Sequence, residues 1–348
     1  MPIESDGFRH LGAALGSNGL VAVTANTGDS SPGLCLLGSR SRAALGDPAP
    51  VGQSRFRLRN LYVSDQSGGG FIGLRTSDRI ELIVEPSSDT ATCTFFSATP
   101  CVRFFNNSVG GSGAATQEGQ VLYAGGDSLL QIRRGMLDAN RSRPQMVMSD
   151  DSSDLLMFSS ILDNNTVERR GVSPSTSALF SARFGATVDI RNSTIVMRSP
   201  LDLFFRLGWQ PLADNTGVAY ARASIFASTV SPAPTNVGES APAANLIREW
   251  CGFFQNTADF LQHTTVLDPT TNIFQVHSPS DFVLDANYAP QTLALRDGCT
   301  APSINRDFYG RPYDVNFEPA FAVHADIGAV EAQLADAMFA NGFENPAR

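Results

Sequence analysis

The sequence predicts an all-β solenoid in which short strands stack as parallel rungs. An apolar-x-apolar-x-polar-small-x-apolar pattern recurs, and from residue 102 onward its copies start 25 to 33 residues apart. The composition is rich in Gly, Ser, Thr, Asn and Asp, with 42% hydrophobic and 17% charged residues, which suits turn-rich β structure better than helix. Self-similarity at this period is typical of units that bury their apolar faces by stacking. The copies begin at Phe56, Val102, Leu130, Leu155, Val188 and Val218.

The copy at 188 illustrates the repeat. Val188 and Ile190 alternate with polar residues, as in a strand with one buried face. Asn192 and Ser193 suit a corner, because Asn tolerates left-handed backbone angles and Ser bonds its own backbone. Ile195 then points inward from a second strand. Each repeat is therefore predicted to be a strand, a corner and the start of another strand.

We predict three further parts besides the stacked repeats: a lead-in, a C-terminal module and a tail. Residues 1–50 read as a lead-in or incomplete cap with one strand at Leu20–Thr24, and residues 51–331 carry the stack. The stack includes a C-terminal module at 251–331, and residues 332–348 form a short tail.

The repeats predict about 8–11 rungs, one of them a weak copy at residue 80 that Pro86 interrupts at its corner. Three polar stretches are predicted to be long loops that leave the stack on one face, where binding residues usually gather. These stretches are 110–119, 142–153 and 166–177.

The repeat, for example Val188-Asp-Ile-Arg-Asn-Ser-Thr-Ile195, resembles rungs of the right-handed parallel β-helix proteins of bacterial surfaces and secretions. A β-sandwich is the competing interpretation, since its strands also alternate and recur. A sandwich does not require the corner dipeptide to return at the same offset from each strand. The sequence therefore favours the right-handed parallel β-helix, with the sandwich as alternative.

The C-terminal third carries a second resemblance, in Asp281–Pro290, Arg306-Asp307, Gly310-Arg311-Pro312 and Asp326–Glu331. This order and spacing are similar to the choice-of-anchor (Q-type) module that closes bacterial β-helix proteins. The resemblance implies that the chain finishes its last rungs, crosses through an Arg-Asp…Gly-Arg-Pro turn and ends on a strand at 326–331.

The charge of the chain limits the kinds of partner that it can bind. The net charge is −9 and all 25 basic residues are Arg. An acidic chain is a poor match for nucleic acid, whose phosphates need clustered cations. The short basic spots, Arg133-Arg134 among them, are interpreted as solvated rung edges. A polysaccharide or cell-surface glycan is the expected partner, and a monomer the expected state.

The compartment is inferred less directly. No apolar run reaches the length of a transmembrane helix, and no signal peptide is visible at the N-terminus. We expect a secreted or outer-surface protein whose N-terminus is truncated or mis-started, with a cytoplasmic protein as the alternative.

Five Cys residues bear on the same question. Cys93 and Cys101 flank a hairpin-like stretch and are predicted to close it, and Cys251 with Cys299 is a second candidate disulfide. Cys35 is left over. Disulfides imply an oxidising compartment, whereas five unpaired Cys residues are the alternative. No Cys lies at zinc-ligand spacing.

Asp138 and Asp163 occupy the same position of two copies and are expected to stack about 4.8 Å apart. Stacked carboxylates suit cation binding or acid/base chemistry, while solvent-facing corner residues are the plainer interpretation. Asn140 and Asn165 repeat likewise, and a side-chain amide ladder is expected there.

The remaining candidates are weaker. Asp150, Asp151 and Asp154 form an acidic cluster that suits Ca²⁺, although it lacks the Gly and closing Glu of an EF-hand loop. Trp209 and Trp250 lie near the Pro-rich bridge at 231–248, beside several Phe residues including Phe204 and Phe205. They are candidates for a sugar-stacking platform, with an aromatic cap on the core as the alternative.

No catalytic constellation stands out. The leading hypothesis is a non-enzymatic secreted or cell-surface protein that serves as an adhesive, structural or glycan-binding module. The alternative is a polysaccharide lyase or glycoside hydrolase on the same fold, because fold alone does not decide function. No cofactor is predicted.

Overall fold

The computed structural model describes the chain in separate ranges and shows an all-β protein over them. The ranges are 13–15, 21–24, 27–28, 34–37, 54–93, 101–109, 118–171, 176–208, 216–228, 236–240, 246–250, 253–254, 261–262, 275–276, 283–292, 295–296, 299–300, 306–313 and 324–332.

Short strands make up most of the described chain. The first half has β1 (Ala13–Leu15), β2 (Val21–Thr24), β3 (Thr27–Gly28), β4 (Leu34–Leu37), β5 (Ser54–Arg59), β6 (Leu61–Ser64), β7 (Ser67–Gly68), β8 (Gly70–Ser77), β9 (Ile80–Glu85), β10 (Val102–Phe105), β11 (Ser108–Val109), β12 (Gly119–Ala124), β13 (Leu129–Arg133), β14 (Gly135–Asp138), β15 (Arg141–Ser142) and β16 (Gln145–Ser149). The second half has β17 (Asp154–Phe158), β18 (Ile161–Asp163), β19 (Thr166–Val167), β20 (Ala178–Ala182), β21 (Ala186–Arg191), β22 (Thr194–Met197), β23 (Leu203–Leu207), β24 (Gly217–Arg222), β25 (Ile225–Ser228), β26 (Asn236–Ser240), β27 (Leu246–Trp250), β28 (Phe253–Phe254), β29 (Leu261–Gln262), β30 (Gln275–Val276), β31 (Cys299–Thr300) and β32 (His324–Ala325).

These strands form four sheets that run along the stack. Sheet 1 is β5-β9-β13-β17-β21-β24-β27, and sheet 2 is β1-β2-β6-β10-β14-β18-β22-β25-β28-β30. Sheet 3 is β3-β7-β11-β15-β19, and sheet 4 is β4-β8-β12-β16-β20-β23-β26-β29. All pairings within the four sheets are parallel except β1 with β2, so the predicted parallel β-helix is confirmed. In the described chain, the nine parallel strands of sheet 2 mark nine rungs, within the predicted range.

One rung passes through the sheets in order. β13 lies in sheet 1, β14 in sheet 2, β15 in sheet 3 and β16 in sheet 4, and β17 then returns to sheet 1. Leu130 and Ile132 pair in register with Leu155 and Met157 of the next rung. All four side chains are fully buried, and they form part of one continuous core. The strand–corner–strand interpretation of the repeat is therefore confirmed for these copies.

Ladders of stacked side chains satisfy the hydrogen-bonding groups of the backbone at the corners. Asn107, Asn140 and Asn165 stack, and each asparagine Oδ1 of the last two accepts the backbone N–H and the side-chain amide of the asparagine one rung earlier, at 2.9–3.1 Å. The predicted amide ladder is confirmed. A hydroxyl ladder follows the sheet 1–sheet 2 corner, where Ser160 and Ser193 accept the backbone N–H of the preceding rung.

Two copies of the repeat were placed wrongly. Val102 and Phe104 pair with Gly135 and Leu137, so the copy at 102 is the second strand of the rung that begins with β9. In β24 the buried residues are Ala219 and Ala221, while Val218 and Tyr220 face outward. A one-residue slip exchanges the two faces of a strand, and apolar residues at both sets of positions conceal it.

The predicted loop at 142–153 is also wrong. Ser142 ends β15, and the segment then forms β16 and a turn before β17.

The lead-in, residues 1–50, contributes more strands to the stack than predicted. β2, which matches the expected strand, pairs in parallel with β6, and β3 and β4 pair with β7 and β8.

An insertion between β9 and β10 leaves the stack at the corner between sheets 1 and 2. Cys93 and Cys101 form a disulfide with a Cα–Cα distance of 5.3 Å, which confirms the predicted pair. Both Cys residues are buried in a second apolar cluster outside the main core.

The C-terminal module lies on the outer face of sheet 2. Tyr288, Phe308 and Val330 pack with Met136 and Ile161 of that sheet. These contacts explain why residues of a solenoid's outer face are apolar and buried.

The expected final strand at 326–331 is wrong, because this segment bends against sheet 2 instead. Gly328 has φ +116°, and a Cβ there would lie 2.8 Å from atoms of both Thr194 and Ile225, so the bend requires glycine.

Candidate binding face

Asp138 and Asp163 stack as expected, since they pair in register on β14 and β18. Each carboxylate is engaged in an ion pair. Arg103 Nη2 lies 2.8 Å from Asp138, and Arg198 donates from Nε and Nη2 to the two oxygens of Asp163 at 2.7 and 2.9 Å.

Asp163 also accepts the Tyr288 hydroxyl, which reaches it from the C-terminal module. Burial, reinforced by the Asp163 carboxylate, raises the pKa of Tyr288. Asp163 therefore holds the module on sheet 2, while Asp138 is paired within sheet 2, so both carboxylates already have charged partners in the protein.

The charged residues of the second resemblance form a network inside the module. Asp307 is fully buried and accepts from the Arg311 backbone N–H at 2.7 Å and from Arg311 Nε at 2.8 Å. Arg311 Nη2 donates to the Glu331 carbonyl at 2.7 Å, and Glu331 accepts from the Asp326 backbone N–H at 3.0 Å. These four residues fix the module's turns.

Arg134 is the clearest error among the predicted surface residues, because its side chain is buried instead of solvated. Its guanidinium donates to the carbonyls of Phe308 at 3.0 Å, Asp89 at 2.9 Å and Ala91. Burial lowers its pKa. Arg134 therefore ties the disulfide-bonded insertion to the module.

In the acidic cluster near residue 150, one member, Asp150, has a structural role. Arg183 donates to both oxygens of Asp150 at 2.7–2.9 Å, and the Tyr123 hydroxyl donates to it at 3.2 Å. Asp151 and Asp154 are exposed. Among the residues whose positions are described, no group of three His, Cys, Asp or Glu is arranged to hold a metal ion.

The aromatic and cysteine candidates differ in whether their side chains are described. Phe204 and Phe205 are buried in the main core on β23, between β20 and β26, so they form neither an exposed platform nor a cap at the end of the core. Trp209 and Cys251 lie outside the described residues. The backbones of Trp250 and Cys299 are described in β27 and β31, but their side chains are not. The Cys251–Cys299 disulfide stays a prediction.

A further candidate is the outer face of sheet 1, which is partly exposed and which sequence reasoning overlooked. Its outward residues form columns that run along the stack, one residue per rung. The column beside sheet 2 contains Arg59, Glu85, Arg133, Phe158, Arg191 and Arg222, which we call the arginine track. The backbone of Trp250 pairs with Arg222 and continues this column.

Two buried carboxylates, Glu85 and Asp189, form ion pairs with the arginines of this face. Glu85 lies 3.0 Å from Arg57, 3.6 Å from Arg59 and 3.6 Å from Arg133. Asp189 accepts from Arg191 Nε at 3.0 Å.

Arg222 Nε lies 3.6 Å from the second Asp189 oxygen. That oxygen is buried and makes no hydrogen bond. Asp189 therefore retains capacity to accept a hydrogen bond.

Aromatic rings lie among these charges. The Arg191 guanidinium lies 5.3 Å from the Phe158 ring centroid, and that of Arg222 lies 4.6 Å from the Tyr220 ring. Such contacts are favourable cation–π interactions. The face therefore presents guanidinium donors and the half-buried Tyr220 ring on a rigid surface, while the Phe158 ring and the two carboxylates are buried.

A sequence signal for this face exists. Arg59, Arg133, Arg191 and Arg222 each directly precede the corner residue between sheets 1 and 2. The recurrence lies in the outward positions, which the repeat describes only as the polar residues of an alternating strand.

Comparisons with protein-family models, with curated proteins and with solved structures find no match. The resemblance of the C-terminal module to a choice-of-anchor module therefore stays a prediction. In the described part of the chain, no helix is long and apolar enough to cross a membrane.

Proposed function

We propose that this chain is a non-enzymatic, secreted or cell-surface β-helix protein that binds glycan on the outer face of sheet 1. The observation that carries the proposal is the rigid face on which a column of arginines, paired with buried carboxylates, lies beside the half-buried Tyr220 ring. Sugar hydroxyls both donate and accept hydrogen bonds, and carboxylates and guanidinium groups are the strong charged partners for them.

The compartment has separate support. The Cys93–Cys101 disulfide is of a kind that persists in oxidising environments. The stacked rungs supply a long, stiff surface of the sort that an adhesive or structural module needs.

A glycan-binding test uses matched aromatic variants. We expect Tyr220→Ala to weaken retention of the protein on polysaccharides by about 3- to 10-fold, since a ring contact is lost from the face. Phe184→Ala is the control, because Phe184 also lies beside an arginine but at the corner between sheets 4 and 1. Equal retention of both variants and the parent protein would contradict the proposal.

The alternative enzyme activity has one observation in its favour, the Asp189 carboxylate held between Arg191 and Arg222. Against it, Glu85 and Asp189 lie on strands three steps apart, about 14 Å at sheet spacing. Paired carboxylates in glycoside hydrolases lie within about 10 Å.

The two functions are distinguished by incubating the protein with the same polysaccharides. New reducing or unsaturated ends, lost in Asp189→Asn, would establish the enzyme and refute the non-enzymatic proposal. Retention without new ends is the result we expect.

A further inference from the structure

Charge is distributed unevenly across the width of sheet 1. The column beside sheet 4 contains the Arg55–Glu81 pair, at 2.6 Å, and the exposed Asp154. The arginine track, beside sheet 2, contains four Arg and only one carboxylate. The positive side of the face therefore follows the axis of the stack.

The arginine excess can be counted from the ion pairs. Arg57, Arg59 and Arg133 share Glu85, and Arg191 and Arg222 share Asp189. Among the described side chains of these pairs, five arginines and two carboxylates leave an excess of three positive charges (5 − 2 = 3), on a chain whose net charge is −9. Asp89 lies across the corner between sheets 1 and 2, where its charge interacts with that of the buried Arg134.

We infer that the arginine track selects anionic polysaccharides, whose carboxylate or sulfate groups bind the guanidinium groups in sequence along the stack; this deepens the proposed glycan-binding function and rests on it. Guanidinium groups match the planar geometry of such oxyanions and form paired hydrogen bonds with them. Arg191 and Arg222 lie on adjacent rungs, about 4.8 Å apart, whereas Arg59, Arg133 and Arg191 lie two rungs apart, about 10 Å, so an extended polymer meets several of them.

The test variant removes the excess charge and keeps the buried carboxylates paired. In Arg59→Gln/Arg133→Gln/Arg222→Gln, Glu85 keeps Arg57 at 3.0 Å and Asp189 keeps Arg191. The control, Arg79→Gln/Arg141→Gln/Arg169→Gln, changes the net charge equally on other faces. There Glu168 keeps Arg143, and Asp202 keeps the Ser177 backbone N–H at 2.8 Å.

The probes are chosen in pairs that share a backbone. Polygalacturonate is compared with its fully methyl-esterified form, and dextran sulfate with dextran, by affinity electrophoresis and calorimetry. We expect the parent protein to prefer the anionic member of at least one pair by about 10-fold or more, and to lose that preference at high salt. The triple track variant is expected to lose it at low salt, whereas the control keeps it.

Each other outcome has a defined meaning. Equal binding of the charged and neutral members overturns the anionic inference and leaves glycan binding standing. Binding to none of the four overturns both proposals. A single-stranded oligonucleotide that binds as tightly as the best anionic polysaccharide would show that the track recognises charge alone, and would also overturn the inference. Circular dichroism melting of both variants verifies that they fold.

Discussion

Replacement of Asn140 by alanine should be among the most damaging single changes to the rungs. Its side chain donates to the Phe104 carbonyl at 2.9 Å and to Asn165 Oδ1 at 3.0 Å, and it accepts from the Asn107 backbone and side-chain amides at 3.1 and 2.9 Å. All three asparagines are buried. Asn140→Ala therefore leaves the Asn107 N–H and the Phe104 carbonyl without these partners inside the stack.

The magnitude follows from those two backbone groups. An unsatisfied buried polar group costs about 1–3 kcal/mol, so the free energy of unfolding should fall by about 2–6 kcal/mol. That is a large part of the about 5–15 kcal/mol typical of a folded domain. The measurement is guanidinium chloride unfolding followed by circular dichroism.

Asn164→Gly is the matched control for this ladder. Asn164 is exposed and has φ 54°, which glycine also adopts without strain, so we expect a loss below about 1 kcal/mol. A loss in Asn140→Ala no larger than that of the control would refute the argument that the ladder stabilises the stack.

Three further predictions concern the module, the insertion and alkaline pH. Tyr288→Phe removes the hydroxyl that donates to Asp163 and should lower the free energy of unfolding by about 1–2 kcal/mol, with faster proteolysis near residue 288; unchanged proteolysis would contradict its docking role. Replacement of both Cys93 and Cys101 by serine should lower the free energy of unfolding in denaturant by about 2–3 kcal/mol relative to the oxidised parent, and the reduced parent should match the variant. Burial and Asp150 raise the pKa of Tyr123 from 10.0 to about 12. A raised folded-state pKa contributes stability below pH 10 that disappears as the pH rises through 12, here about 1–2 kcal/mol after solvent screening. Thermal melting at several pH values should show this loss, and Tyr123→Phe should reduce it; identical pH profiles would refute the assignment.

The architecture was predictable because the core positions repeat. Leu130, Leu155 and Val188 lie at the same place in successive strands, and a buried column tolerates only apolar residues there. The corner residues repeat for a backbone reason, since Arg134, Ser159 and Asn192 all have positive φ.

Other parts of the fold leave little periodic signal. β19 has two residues, Thr166 and Val167, too few for alternation to appear, so this sheet 3 strand was included in the predicted loop at 166–177. In β24, alanines occupy the inner positions and Val218 with Tyr220 the outer ones, which reverses the usual cue.

The candidate site was the least predictable part. The two aspartates could be aligned from the repeat, but their partners Arg198 and Tyr288 are 35 and 125 residues away from Asp163. Sequence spacing within the repeat does not encode contacts made by a module that folds back over the stack. The arginine track is encoded, although in the outward positions that a search for core residues ignores.

The C-terminal module makes hydrogen bonds at four consecutive corners, with Arg134, Ser159, Thr194 and Ala223. In a simple solenoid each rung contacts only its neighbours, so a pulling force along the axis peels rungs off one at a time. Here the module crosses four rungs, and they must separate from it together. The middle of the solenoid should therefore resist tension as one block and yield in a single large step.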